Sequence, residues 1–261
     1  MKFSEFFTYL LCPPKCAACG KTIGLSFLRS PLCEECERLF QNECNEICTK
    51  CQKRLSECDC IPSSLAENGC LFSCKLMRYY GGDIGKASNK IVYEMKSSSD
   101  VRLYRFIADK LSENAVGRIE SAARACSAEK IYVTYVPRSI SAVAKYGHDQ
   151  ARCLALALSD RLGIPCVKLV RRNNGRHKEM KKLTYSERFV ESSTVYAPVG
   201  NMPSLDDAFV IIVDDVVTSG ASVLAVSRLL FERNVCGFGV ISVGVSILKD
   251  TKTVSEEKSN E

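Results

Sequence analysis

Apolar side chains recur at helical spacing in two stretches of this chain. Over residues 100–115, Leu103, Ile107 and Leu111 share one face, and over 149–162 Ala151, Leu154, Ala155, Leu158 and Leu162 do so. Gly163 stands where the second helix needs a left-handed C-cap. Elsewhere the apolar positions form short runs. Residues 130–136 are β-branched and aromatic and end at Pro137, 166–170 make a short strand, and 209–213 read as a strand buried on both faces. A helix over 222–233 and an apolar strand over 236–245 complete the series. Strands that alternate with helices predict a parallel sheet in an α/β domain.

The first 74 residues follow neither period and carry twelve of the sixteen cysteines. The chain thus divides into a cysteine-rich module over 1–74, an α/β domain over 75–248 and a polar tail over 249–261. The 261 residues, 46% hydrophobic and 25% charged, suffice for one sizeable core and a small accessory module, and exclude a largely disordered chain. The apolar stretch from Phe3 to Leu11 stops at Pro13-Pro14 and is too short to span a membrane. No leader pattern is legible, so a cytoplasmic location is expected, and clustered cysteines then point to metal rather than disulfides.

Cys16-x2-Cys19 and Cys33-x2-Cys36 are two CxxC knuckles, each turning two sulfurs toward one ion; together they predict a closed four-thiolate zinc site, structural rather than catalytic. Cys48-x2-Cys51 with Cys58-x-Cys60 predicts a second, with Cys44, Cys70 and Cys74 as alternative ligands. Two such sites would lower the formal charge from +6 to about +2, which argues against a strongly basic, DNA-coating protein. Gly20-Lys21-Thr22 mimics the end of a P-loop, but it belongs to a knuckle and lacks the first glycine.

The segment from Val210 to Ser222 combines a buried strand, Asp214 and Asp215 at its carboxyl end, and the small-residue loop Thr218, Ser219, Gly220, Ala221 and Ser222 opening a helix. Such a loop lets several backbone N–H groups converge on a phosphate at a helix N-terminus. Paired carboxylates accept from sugar hydroxyls or bind a metal. The segment resembles the thirteen-residue motif with which type I phosphoribosyltransferases bind phosphoribosyl pyrophosphate (PRPP). The resemblance implies that Asp214 and Asp215 take the ribose 2- and 3-hydroxyls, that the loop takes the 5-phosphate, and that Mg accompanies PRPP. The cysteine module, Val136-Pro137-Arg138, Tyr146-Gly147-His148-Asp149-Gln150, Lys96 in Tyr93-Glu94-Met95-Lys96, and Leu183 with Glu187-Arg188 together resemble the ComF family of competence-associated, phosphoribosyltransferase-like proteins. That implies a type I phosphoribosyltransferase-like sheet flanked by helices behind a small zinc-ribbon module, with Arg138 among the PRPP-binding residues. The chain departs from the family pattern at Tyr146, where an arginine is usual, and at Met180, where a glutamine is.

Residues 168–188 hold eight Lys or Arg (Arg171, Arg172, Arg176, Lys178, Lys181 and Lys182 among them) against Glu179 and Glu187. This basic loop could neutralise pyrophosphate or follow a nucleic-acid backbone. Thr218 stands where purine-specific transferases carry a carboxylate, so purine salvage is not expected. Two functions are therefore expected to compete. One is a PRPP-binding phosphoribosyltransferase with an unassigned acceptor. The other is a non-catalytic accessory of DNA uptake, which the ComF resemblance would place beside single-stranded DNA and a helicase partner.

Overall fold

A computed structural model describes residues 13–23, 30–80, 86–173 and 195–246. The apolar opening stretch with Cys12, the part of the basic loop from Arg176 to Arg188, and the polar tail lie outside the described residues.

Strand β6, Ala208–Val217, is the centre of the fold. It pairs in parallel with β3, Lys130–Tyr135, on one side and with β7, Gly237–Ser246, on the other. Beyond β7 the edge is shared end to end by β1, Cys70–Cys74, and β2, Met77–Tyr79, both parallel to it. Residues 70–74, which sequence groups with the cysteine module, thus form the edge of the main sheet. Gly239 is what allows this pairing, because a Cβ there would overlap the Phe72 ring. The sheet is parallel throughout, as the alternating pattern predicts.

Both faces of the sheet are covered, which is why its central strand reads as a continuous apolar run. Phe209, Ile211 and Val213 face a core built with the long helix α4, Val101–Ala125, and with α6, Gln150–Leu162. Val210, Ile212, Phe238 and Val240 face α7, Ala221–Phe231, and a two-stranded hairpin. Helix α4 runs ten residues beyond the predicted end, since Ala115, Ile119, Ala122 and Ala123 continue its buried stripe. Its start is set by Asp100, whose carboxylate accepts from the Arg102 N–H. Asp149 caps α6 in the same way, and Gly163 ends it in the left-handed region at φ +67°.

One expected strand is divided. Residue 166 makes a single parallel bridge to Val133 at the outer edge of β3. The chain then leaves the sheet, and β4, Val170–Arg172, pairs antiparallel with β5, Tyr196–Pro198. Burial decides this: Leu169 and Val170 pack with Val195, Tyr196 and Leu205 on the α7 side rather than extending the main sheet.

Among the described residues, four α-helices have no counterpart in the sequence reading. They are α1, Glu34–Cys44; the single turn α2, Ser63–Ala66; α3, Ala87–Ser97; and α5, Ile140–Tyr146. Helix α1 joins the first cysteine cluster to the α4 side through Phe40, whose ring lies 5.4 Å from that of Phe106. Its buried Glu43 accepts from the backbone N–H groups of Ala87 at 2.7 Å and Ser88 at 2.8 Å, and so caps α3.

Candidate functional site

The carboxyl ends of β3 and β6, the C-terminal end of α3 and the N-terminal end of α6 converge on Asp214 and Asp215. Successive residues of a strand point to opposite faces, so the two acids meet different surroundings. Asp215, buried on the α4–α6 side, pairs with Lys96 Nζ at 3.3 Å and accepts from Gln150 Nε2 at 3.4 Å. The other amide atom of that glutamine, Oε1, is buried without a hydrogen-bond partner, which leaves an acceptor free for a hydroxyl or amine arriving beside Asp215. Asp214 Oδ1 accepts from the Asp215 N–H at 2.9 Å. Burial, and then the neighbouring Asp215 charge, push the Asp214 carboxyl well above the ordinary carboxylate range. A cationic ligand or a metal arriving at this pair would draw it back toward ionisation.

Arg138 follows β3, level with the acids because Tyr135 and Val213 are register partners. Its backbone N–H donates to Asp149 Oδ2 at 2.8 Å, and its guanidinium donates to the Lys96 carbonyl at 3.2 Å while lying 4.4 Å from the Tyr146 ring centre. Tyr146, the residue that departs from the ComF pattern, is therefore the platform on which Arg138 stacks. His148 ties the same corner together, with Nε2 at 2.8 Å from the Met95 carbonyl. Lys96 enters the sequence reading only as part of a resemblance and Gln150 only as the last residue of one. Their meeting at Asp215 depends on helix placement, for which the sequence carries no local signal.

The loop Thr218-Ser219-Gly220 lies between β6 and α7. Gly220 adopts φ +77°, a conformation that favours glycine, and its carbonyl accepts the first helical bond, from Leu224 N–H at 2.9 Å. Ala221 and Ser222 open α7, so the N–H groups of the loop and first turn are free of intrahelical partners. Of the basic loop, Lys168, ahead of β4, is described, as are Arg171 and Arg172. The two arginines lie on β4 of the hairpin over the α7 face, with the Arg172 guanidinium 5.8 Å from the Tyr196 ring centre.

Two groups of four cysteines form in the cysteine-rich segment: Cys16, Cys19, Cys33, Cys36, and Cys48, Cys51, Cys58, Cys60. A tetrahedral zinc with Zn–S bonds of about 2.3 Å needs sulfurs about 3.8 Å apart. The separations are 3.7 Å for Cys19–Cys33, 3.5 Å for Cys51–Cys58 and 4.0 Å for Cys48–Cys60. Backbone N–H groups point at the sulfurs as well, Cys33 N–H at 3.3 Å from Cys16 Sγ and Cys60 N–H at 3.4 Å from Cys58 Sγ. In each group burial raises the thiols, yet backbone donors bring Cys16 down to about 7 and Cys48 down to about 6. Both groups fit a four-thiolate zinc. Cys44, Cys70 and Cys74 join neither group; they pack into the main cores instead.

In open α/β sheets the carboxyl ends of the strands are where ligands bind, and the paired acids and the small-residue loop lie at that end of β6. The family model of the phosphoribosyl transferase domain matches residues 122–260, and the chain belongs to that family. Among solved structures, the crystal structure of a purine phosphoribosyltransferase from Pyrococcus horikoshii Ot3 is 14% identical, with 56% of this chain and 93% of that chain covered and a TM-score of 0.29. No curated protein matches the chain. No helix among the described residues is long and apolar enough to cross a membrane.

Proposed function

We propose that this chain is a PRPP-binding member of its family, of the ComF type, in which Asp214 and Asp215 take the ribose hydroxyls, residues 218–222 take the 5-phosphate, and Arg138 lies on the pyrophosphate side. The observation that carries the reading is the placement of the two acids at the carboxyl end of the central strand, immediately before the Gly220 turn into α7. Lys96, paired with Asp215 at 3.3 Å, is a cation beside the two acids that pyrophosphate would meet. Magnesium bound with PRPP would neutralise pyrophosphate charge and help it leave C1. The chain's own contribution is to orient the ribose, hold the 5-phosphate and place Arg138 and Lys96 where negative charge develops. Thr218 is exposed and has no carboxylate to handle a purine proton, which argues against a purine acceptor.

The test is titration with PRPP and Mg, followed by a pyrophosphate-release assay over a panel of bases and amines. Saturable PRPP binding that is lost in the Asp214→Asn, Asp215→Asn double variant is expected; equal binding heat in both proteins would refute the site.

A second reading, a nucleic-acid-handling accessory of DNA uptake, is favoured by one feature, the basic stretch over residues 168–188. Four phosphate contacts to a single strand give a log–log salt slope of about −3, and replacing Arg171, Arg172 and Arg176 by Ala should flatten it by about 2. If the loop serves PRPP instead, the triple variant loses PRPP affinity and its DNA affinity is unchanged.

A further inference from the structure

The second cysteine group lies against the phosphate loop. A cavity of about 620 Å³ separates them in part, with Cys48, Cys58 and Cys60 on one wall and Thr218 and Ser219 on the other. Beside the cavity, the turn that follows the cysteine group touches the loop directly. Ser64 Oγ donates to the Ser219 carbonyl at 3.0 Å, and Leu65, fully buried, packs so tightly on Gly220 that a Cβ there would sit 2.9 Å from Leu65 Cδ2.

The cysteine group is in turn fastened to the sheet. Buried Lys75, between β1 and β2, donates to the Cys60 carbonyl at 2.8 Å and the Cys58 carbonyl at 3.3 Å. Arg118 of α4 donates to the Glu57 carbonyl at 2.8 Å and the Cys58 carbonyl at 3.2 Å, and pairs with Asp59 at 2.8 Å. Only Ile61 and Pro62 separate Cys60 from the turn that carries Ser64 and Leu65, and proline stiffens that link.

Resting on the PRPP reading of the loop, we propose that Ser64 and Leu65 are positioning residues for it, and that the second cysteine group, when it holds its metal, is the brace that keeps them there. The geometry explains how. In a trans peptide the carbonyl and the next N–H point opposite ways, so fixing the Ser219 oxygen on Ser64 aims the Gly220 N–H away from Ser64. Leu65 blocks the loop from collapsing toward the cysteine group. Opening the cluster frees the turn and lets the loop's N–H groups fall out of convergence.

Four variants test this: Ser64→Ala, Leu65→Ala, then Leu111→Ala as a control truncated on the opposite face of the sheet, and Cys58→Ser. Each is titrated with PRPP and Mg and examined by amide exchange over residues 218–222, with metal content measured alongside. The first two should keep their metal, weaken PRPP binding about tenfold and exchange faster across the loop, whereas Leu111→Ala should leave the exchange of residues 218–222 unchanged. Ser64→Ala removes no buried apolar volume, so it remains informative if Leu65→Ala fails to fold. Cys58→Ser, which opens the cluster, should reproduce the faster exchange. Wild-type exchange rates over 218–222 in Ser64→Ala and Cys58→Ser would overturn the proposal. If the wild-type protein binds no PRPP, the ligand reading fails separately, and the exchange comparison still decides whether the cluster braces the loop.

Discussion

At the scale of single residues, two positions carry most of the site's tension. Burial and then Asp215 hold the Asp214 carboxyl well above its ordinary range. The folded protein therefore binds that proton more tightly than the unfolded chain, and the contribution of this one group to stability falls as pH rises from about 4 through its folded value. Asp214→Asn removes this dependence. We expect its melting temperature at pH 7 to exceed wild type by about 2–4 °C, with the advantage shrinking at pH 4; a lower melting temperature at pH 7 would contradict the assignment. Gly220 is the second position. Gly220→Ala forces a side chain into φ +77° and onto Leu65, and should cost about 1–2 kcal/mol in urea unfolding from the backbone alone.

Elements matter through what they deliver. Helix α3 delivers Lys96 to Asp215, and its N-terminus is held by Glu43 of α1 rather than by a residue of its own. Glu43→Ala should therefore destabilise the fold by about 1–2 kcal/mol and accelerate amide exchange over residues 87–90. A PRPP affinity lowered in that variant and partly restored by Glu43→Gln, which keeps one of the two acceptors, would identify the cap, not the charge, as the connection. An Ala variant as stable as wild type would show that α3 is positioned by packing of Ile91, Val92 and Met95 alone. The two cysteine-rich segments thus reach the acid pair and its loop from different sides, the first through α1 and α3, the second through Ser64 and Leu65.

For the molecule as a whole, that arrangement makes the cysteine groups part of the architecture and not an appendage. Protein purified without added metal should carry about two zinc ions per chain, and chelation should unfold the α1 and Leu55–Glu57 regions before the main sheet. Elemental analysis and circular dichroism during chelator titration measure both. Less than one zinc in reduced, folded protein would dismiss the metal at these sites. Buried Lys75 argues the same way. Lys75 is sealed in with carbonyls and thiols around it, an arrangement far less costly beside a doubly negative four-thiolate zinc than beside neutral thiols.

Local chemistry was enough for several features. Asp149 and Gly163 bracket α6 because caps are decided within a few residues, and strands β3, β6 and β7 are legible because burial on both faces leaves unbroken apolar runs. The cysteine spacings and the acid pair ahead of a small-residue loop are local too, since a knuckle and a strand-to-helix turn are each built from consecutive residues. What only the tertiary structure decided is everything that joins distant segments. Residues 166–170 leave the main sheet because Leu169 and Val170 are worth more under Tyr196, and residues 70–74 enter it because Gly239 makes room for Phe72. The meeting of Lys96 and Gln150 at Asp215, and of Leu65 with Gly220 across 155 positions, follows from how helices seat on the sheet. Such seating is set by the summed burial of many side chains, and no short stretch of sequence contains that sum.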